Sequence, residues 1–284
     1  CSLMTKVFLT GHRGFIGSYL IKDLKKNYNI VTFKRRINKE NYEDLINFQS
    51  ASVVVHAAAS TGILKSWDSP DKLIENNTFL TKSIIDYCLK NNSFLIYISS
   101  YLYGETKNFP TPETEELKTN NPYAESKKIS EDMCFFHQKK SGLNVTVVRP
   151  FNIYGYFENN NQLIMSVIKQ IVQKKEILVS GLNPKRDLLY IKDFCELLRK
   201  IIKNELANEI FNAGSGNNYS VKEVIDTIQK LYSSNLPINC LNEERENEIF
   251  ETKADISKAK KLLNWEPIWS LDKGILDTIN HIKL

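Results

Sequence analysis

The chain has 284 residues, 42% of them hydrophobic and 25% charged, enough for one large core and a smaller lobe, and no part of it reads as disordered. Its 38 Lys and Arg against 33 Asp and Glu leave a net charge of +5 spread along the sequence; with no basic cluster interleaved with aromatics, a nucleic-acid partner is excluded. No apolar run reaches the length of a membrane span, no signal-peptide pattern opens the chain, and the five cysteines (1, 88, 134, 195 and 240) show neither disulfide nor zinc spacing, so a cytoplasmic protein is expected.

The first predicted element is an apolar strand, Lys6 to Thr10. It runs into Gly11-His12-Arg13-Gly14-Phe15-Ile16-Gly17 and then an amphipathic helix carrying Ile16, Leu20 and Leu24. Strand, glycine turn and helix in that order form a dinucleotide cradle. Gly11 permits the turn, Gly14 lets a pyrophosphate approach the backbone, and Gly17 lets helix and strand pack, while the amides of Phe15, Ile16 and Gly17 face the phosphates. A second strand, Ile30 to Phe33, ends where an Asp or Glu would bind the ribose 2'-hydroxyl of NAD. Lys34, Arg35 and Arg36 stand there instead. With Arg13 as a second clamp, this cationic end favours NADP, NAD being the alternative.

Further strands are expected at Ser52 to His56, Phe94 to Ser99 and Val145 to Val148, and helices at Lys72 to Lys90 and Tyr123 to Lys140. The alternation predicts an α/β fold, a Rossmann-type doubly wound parallel sheet over residues 1–152, followed by a smaller mixed C-terminal substrate lobe over 153–284 with some elements returning to the first domain. Ligands should gather at the carboxyl ends of the strands, beside Ala57, Ala58, Ala59 and Ser60, beside Ser99, and beside Asn152. Tyr123 and Lys127, four apart on a helix, share a face, so the Lys ammonium can favour the phenolate; Ser99 would bond the substrate oxygen. His56 reads as structural or as lining the adenosine side, Trp265 and Trp269 as packing residues, and Glu113 and Glu115 as solvated.

Taken together, these segments resemble the extended short-chain dehydrogenase/reductases that act on nucleotide sugars as epimerases, dehydratases and reductases. The resemblance rests on the glycine loop, on Ser99-Ser100-Tyr101-Leu102-Tyr103-Gly104, on Asn121-Pro122-Tyr123-Ala124-Glu125-Ser126-Lys127 and on Arg149-Pro150-Phe151-Asn152-Ile153-Tyr154-Gly155. Downstream, Arg186-Asp187-Leu188-Leu189-Tyr190 and Arg245-Glu246-Asn247-Glu248 match stretches whose arginines hold a nucleotide diphosphate. The resemblance implies Ser99, Tyr123 and Lys127 as catalytic residues and Asn77 as a cofactor neighbour. Ser60, Ser100, Tyr101, Asn152, Arg186 and Arg245 become substrate contacts, the substrate a nucleoside-diphosphate sugar, and the assembly a homodimer.

Ser100 and Tyr101 occupy the places of the dehydratases' acid pair, and Tyr101 the place of an epimerising cysteine in related reductases. The expectation is therefore an NADPH-dependent reductase of a 4-keto-deoxysugar. An NAD-dependent 4-epimerase or 4-dehydrogenase is the alternative, and a non-catalytic dinucleotide sensor the reading from another class.

Overall fold

The computed structural model describes residues 4–61, 64–158, 162–173, 176–241 and 249–282. Strands and helices alternate from the start: β1 (Lys6–Thr10), α1 (Phe15–Leu24), β2 (Asn29–Val31), α2 (Tyr42–Ile46), β3 (Val53–His56), α3 (Pro70–Asn91), β4 (Phe94–Ile98), α4 (Pro122–Ser141) and β5 (Val145–Pro150). There follow β6 (Asn152–Tyr154), α5 (Leu163–Val172), β7 (Ile177–Val179), β8 (Lys185–Tyr190), α6 (Ile191–Asn204), β9 (Ile210–Ala213), β10 (Asn218–Ser220), α7 (Val221–Tyr232), β11 (Ile238–Cys240), α8 (Ser257–Leu263) and α9 (Leu271–Ile282).

Two compact units organise these elements. The first comprises Cys1–Gly104, Glu116–Pro150 and Cys195–Phe211; the second comprises Glu105–Glu115, Phe151–Phe194 and Asn212–Leu284. In the first, six strands lie in the order β2-β1-β3-β4-β5-β9, and every pairing from β2 to β5 is parallel. The chain leaves β1 to one side for β2 and returns on the other side for β3. That reversal puts the topological switch point, where ligands of such sheets bind, between the carboxyl ends of β1 and β3. All four residues of β3 are buried, which is how a strand covered on both faces reads.

Local chemistry sets the helix ends. In α4, Asn121 caps the first turn by accepting the Ala124 amide at 2.8 Å and Pro122 needs no amide partner, while Gly142 closes the helix at φ 71°. The second strand ends two residues earlier than expected, at Val31, because Phe33 turns into an edge contact with Phe48, ring centroids 5.5 Å apart. The short polar α2 that follows has too few residues to show a helical period. In the second unit, β8 pairs antiparallel with β10 and parallel with β6, giving the mixed sheet, and β7 pairs with β11.

Candidate functional site

Three glycines shape the turn after β1. Gly11 has φ +72°, and a Cβ there would sit 2.7 Å from the Ala57 and Ala58 backbone; a Cβ on Gly17 would sit 2.1 Å from the Gly11 carbonyl oxygen. Gly14 differs, since its nearest neighbour would be 3.4 Å away and its outer face is open. Gly14 is also the N-cap of α1, with no side-chain cap and no acidic residue in the first turn, and Arg13 beside it is exposed. A helix start whose amides carry no side-chain acceptor suits an anion. The cradle thus fits a dinucleotide pyrophosphate.

The loop after β3 is held from beneath by two buried networks. Thr10 Oγ1 accepts the Ala58 amide at 3.2 Å and lies 2.7 Å from His56 Nδ1; His56 Nε2 lies 3.3 Å from Thr81 Oγ1, which donates to Asn77 O at 3.0 Å. With both hydroxyl protons so directed, His56 carries its hydrogen on Nε2 and accepts at Nδ1. Burial, then the Lys127 charge, lowers its pKa to about 3. His56 is structural. The unfolded chain takes up this proton below pH 6.5 and the folded chain does not until about pH 3, so stability falls as pH drops through that window. Measured by urea unfolding, the wild type should lose about 2 kcal/mol more stability between pH 6.5 and 4.5 than His56→Gln does; equal losses would mean that His56 titrates normally.

The second network centres on Asn77, 3% exposed. Its Oδ1 accepts the Ser60 amide at 2.8 Å, and its Nδ2 donates to Ser60 O at 3.1 Å and to Ser126 Oγ at 2.9 Å. Both amide hydrogens are spent inside the protein. Asn77 thus braces the backbone of Ser60, in the loop after β3, against Ser126 of α4.

At the end of β4, Ser99 is 3% exposed and its Oγ has no hydrogen-bond partner among the described residues. Such an atom costs roughly 1–3 kcal/mol until a ligand oxygen meets it. The Lys127 ammonium, 4% exposed, donates to the Ile98 carbonyl oxygen at 2.6 Å and lies 4.3 Å from the Tyr97 ring centroid. Ser100 hydrogen-bonds the Tyr123 phenol. Ser99, Ser100, Tyr123 and Lys127 are therefore gathered at one strand end. The Tyr101 hydroxyl donates to Gly104 O at 2.8 Å.

The electrostatics differ from the expectation of a phenol drawn down by lysine. Burial lowers the Lys127 pKa to about 7, opposed by Glu131 and Cys134. Burial raises that of Tyr123, opposed by the Ser100 contact. The opposing group at the phenol is a hydroxyl donor, not the ammonium.

Beyond β2, the three cations diverge. Arg35 pairs with Asp44 of α2 and lies 5.6 Å from the Phe33 ring centroid, so its charge is already matched. Arg36 reaches Ser60 Oγ at 3.4 Å, across the strand ends, and Lys34 is exposed. Of the three, Arg36 is the one turned toward the loop after β3.

In the second unit, Asn152 Nδ2 donates to Asp187 O at 3.2 Å, and Arg186 Nη1 donates to Lys185 O at 3.0 Å and Phe250 O at 3.3 Å. Asp187 is fully buried and accepts from the Ser215, Gly216 and Ala254 amides and the Ser215 hydroxyl at 2.5–3.0 Å; burial still raises its pKa to about 6. Arg245 lies outside the described residues. Glu113 and Glu115, expected to be solvated, are partnered: Glu113 accepts the Asn212 amide at 3.0 Å, and Glu115 accepts from Thr106 at 2.9 Å and Asn108 at 2.6 Å. Trp265, 1% exposed, donates to Asp193 O at 3.1 Å and is a packing residue. The four described cysteines are free thiols, no described cluster could hold a metal, and no described helix is long and apolar enough to cross a membrane.

A parallel sheet with this glycine turn and a Ser–Tyr–Lys end defines a short-chain dehydrogenase/reductase fold of the nucleotide-sugar type. The chain belongs to the NAD dependent epimerase/dehydratase family, whose model matches residues 7–214. It is 31% identical to the UDP-glucuronate 4-epimerase of Thermodesulfobacterium geofontis, covering 97% of this chain and 95% of that one. It is 27% identical to UDP-glucuronic acid decarboxylase 1 of Xenopus tropicalis, covering 98% and 72%. Among solved structures, the UDP-glucuronic acid 4-epimerase of Bacillus cereus in complex with UDP-glucuronic acid and NAD superposes with a TM-score of 0.88 at 26% identity, over 98% and 99% of the two chains. These relatives overturn the expectation of a 4-ketoreductase. That expectation rested on the cationic strand end and on Ser100 and Tyr101 standing in place of other catalytic groups, whereas the Ser–Tyr–Lys arrangement is common to both reactions.

Proposed function

We propose that the protein is a nucleotide-sugar 4-epimerase that works on a UDP-hexose or UDP-hexuronate with a retained nicotinamide dinucleotide. The observation that carries this reading is the likeness to a UDP-glucuronate 4-epimerase along 97% of the chain. The buried Ser99 hydroxyl beside Tyr123 and Lys127 supplies matching chemistry. A dinucleotide held by the Gly11 to Gly17 turn would supply a hydride acceptor and donor for one sugar carbon. Tyr123 holds the proton exchanged at the sugar 4-oxygen, and Ser99 Oγ hydrogen-bonds that oxygen. Lys127 supplies a positive charge one helical turn from Tyr123. Asn152 and Arg186 of the second unit are assigned to the nucleotide sugar, as is Arg245.

A redox-neutral exchange returns its hydride at every turnover, so NAD that stays bound suffices. The Lys34 to Arg36 loop has no carboxylate to repel a 2'-phosphate, so NADP is tolerated as well. The test uses freshly purified protein in deuterated water, with UDP-glucose or UDP-glucuronic acid and no added nicotinamide. The expected product is the C4 epimer with no deuterium on C4, and the dinucleotide released on denaturation is identified by mass. Release of carbon dioxide from the uronate would make the protein a decarboxylase. Absence of conversion of either sugar, together with NADPH consumption on a 4-keto sugar, would restore the reductase.

A further inference from the structure

The buried ion pair in the first unit lies one helical turn beyond Lys127. Glu131 is fully buried and Arg149, on β5, is 3% exposed. Arg149 Nε lies 3.0 and 3.2 Å from the two Glu131 oxygens and Nη2 lies 2.7 Å from Oε2, a two-pronged grip. The remaining nitrogen, Nη1, lies 3.1 Å from the Tyr103 hydroxyl, and the guanidinium sits 5.3 Å from the centre of that ring. The carboxylate therefore cannot swing away. Lys127 and Glu131, four apart on α4, share a helix face.

We propose that Glu131, fixed by Arg149, is a positioning residue for the site: it keeps the Lys127 ammonium charged and seated on the Ile98 carbonyl. The inference rests on the reading of Lys127 as part of the exchange site. The groups facing Lys127 are His56 from β3, Tyr97 from β4, and Glu131 and Cys134 from α4, with Tyr123 one turn earlier on α4 and Arg149 on β5 behind Glu131. His56 is neutral at pH 7, and burial pushes the Tyr97, Tyr123 and Cys134 pKa values up, so these too are neutral. Glu131 is the one anion of the set, and it opposes the burial that lowers the Lys127 pKa to about 7. A pair needed only to fasten α4 to β5 could be apolar, since buried ion pairs are often replaced by well-packed hydrophobic residues without loss.

The test follows Lys127 itself, with lysine labelled by carbon-13 at Cε and the signal assigned by its loss in Lys127→Met. In Glu131→Gln the titration midpoint should fall by more than one pH unit, and in Glu131→Asp, which keeps the charge, it should stay within half a unit of wild type. Because Glu131→Gln leaves the Arg149 charge buried without its carboxylate, Glu131→Gln/Arg149→Met provides a second fold with neither charge. There the midpoint should still fall, by a smaller step. Unchanged midpoints in the folded variants would overturn the proposal. Turnover against pH is measured alongside and should shift with the midpoint. A midpoint that moves while the turnover profile stays put leaves Glu131 as the group that sets the Lys127 charge and removes Lys127 from the reaction.

Discussion

Tyr123→Phe should lower the rate of sugar interconversion by about two to four orders of magnitude, the usual contribution of a placed general acid or base. The substitution deletes one oxygen. It keeps the ring and leaves untouched the Lys127 contact to Ile98 and the buried Ser99 hydroxyl. Nucleotide-sugar affinity should therefore stay within a few-fold of wild type, and the loss should fall on turnover, as expected when an interaction exists only in the transition state. Ser100, which hydrogen-bonds the phenol, loses that partner and turns to solvent or substrate. Near wild-type turnover in this variant would require another acid at the end of β4. A loss confined to substrate affinity would make Tyr123 a binding residue.

How much of this was readable in the sequence depends on the range of the force involved. The glycine turn was legible because its rule is steric and local: Gly11 at φ +72° and Gly17 against the Gly11 carbonyl admit no side chain. The start of α4 was legible for a similar reason, since Asn121-Pro122 is a cap and a first-turn proline in adjacent positions. The bracing of the site was not. Asn77 meets Ser60 and Ser126 across 17 and 49 residues, and Glu131 meets Arg149 across 18, contacts that exist only once the sheet has formed. Nor does a run of three cations show in sequence that one of them, Arg35, is matched by Asp44 on a helix too short to predict. The reaction type was misread for a deeper reason. A reductase and an epimerase both place a proton at the sugar oxygen and a hydride at its carbon. What separates them is that an epimerase first removes both and then returns the hydride to the opposite face, keeping its dinucleotide between turnovers, a difference spread over many contacts and written in no single motif.

The glycine turn offers the sharpest separation of fold from ligand. Gly17→Ala would drive a Cβ to 2.1 Å from the Gly11 carbonyl oxygen and 2.8 Å from the His12 Cα, backbone atoms that cannot rotate aside. Overpacking of that kind costs about 3 kcal/mol, so the melting temperature should fall by roughly 6 °C or more, and dinucleotide binding should be lost with the turn. Gly14→Ala meets nothing closer than 3.4 Å and adopts an ordinary extended backbone at φ −80°. Its cost to the fold is that of a poorer N-cap, about 1 kcal/mol, or roughly 2–4 °C. Its methyl group nevertheless projects from the helix start where the pyrophosphate is to rest, so NAD affinity measured by calorimetry on dinucleotide-free protein should drop at least tenfold, about 1.4 kcal/mol. Gly14→Ala protein that folds and binds NAD as tightly as wild type would move the phosphates off the start of α1. The cradle would then be a packing device with another ligand site still to be found, whereas a folded protein that has lost NAD ties the open face of Gly14 to the cofactor directly.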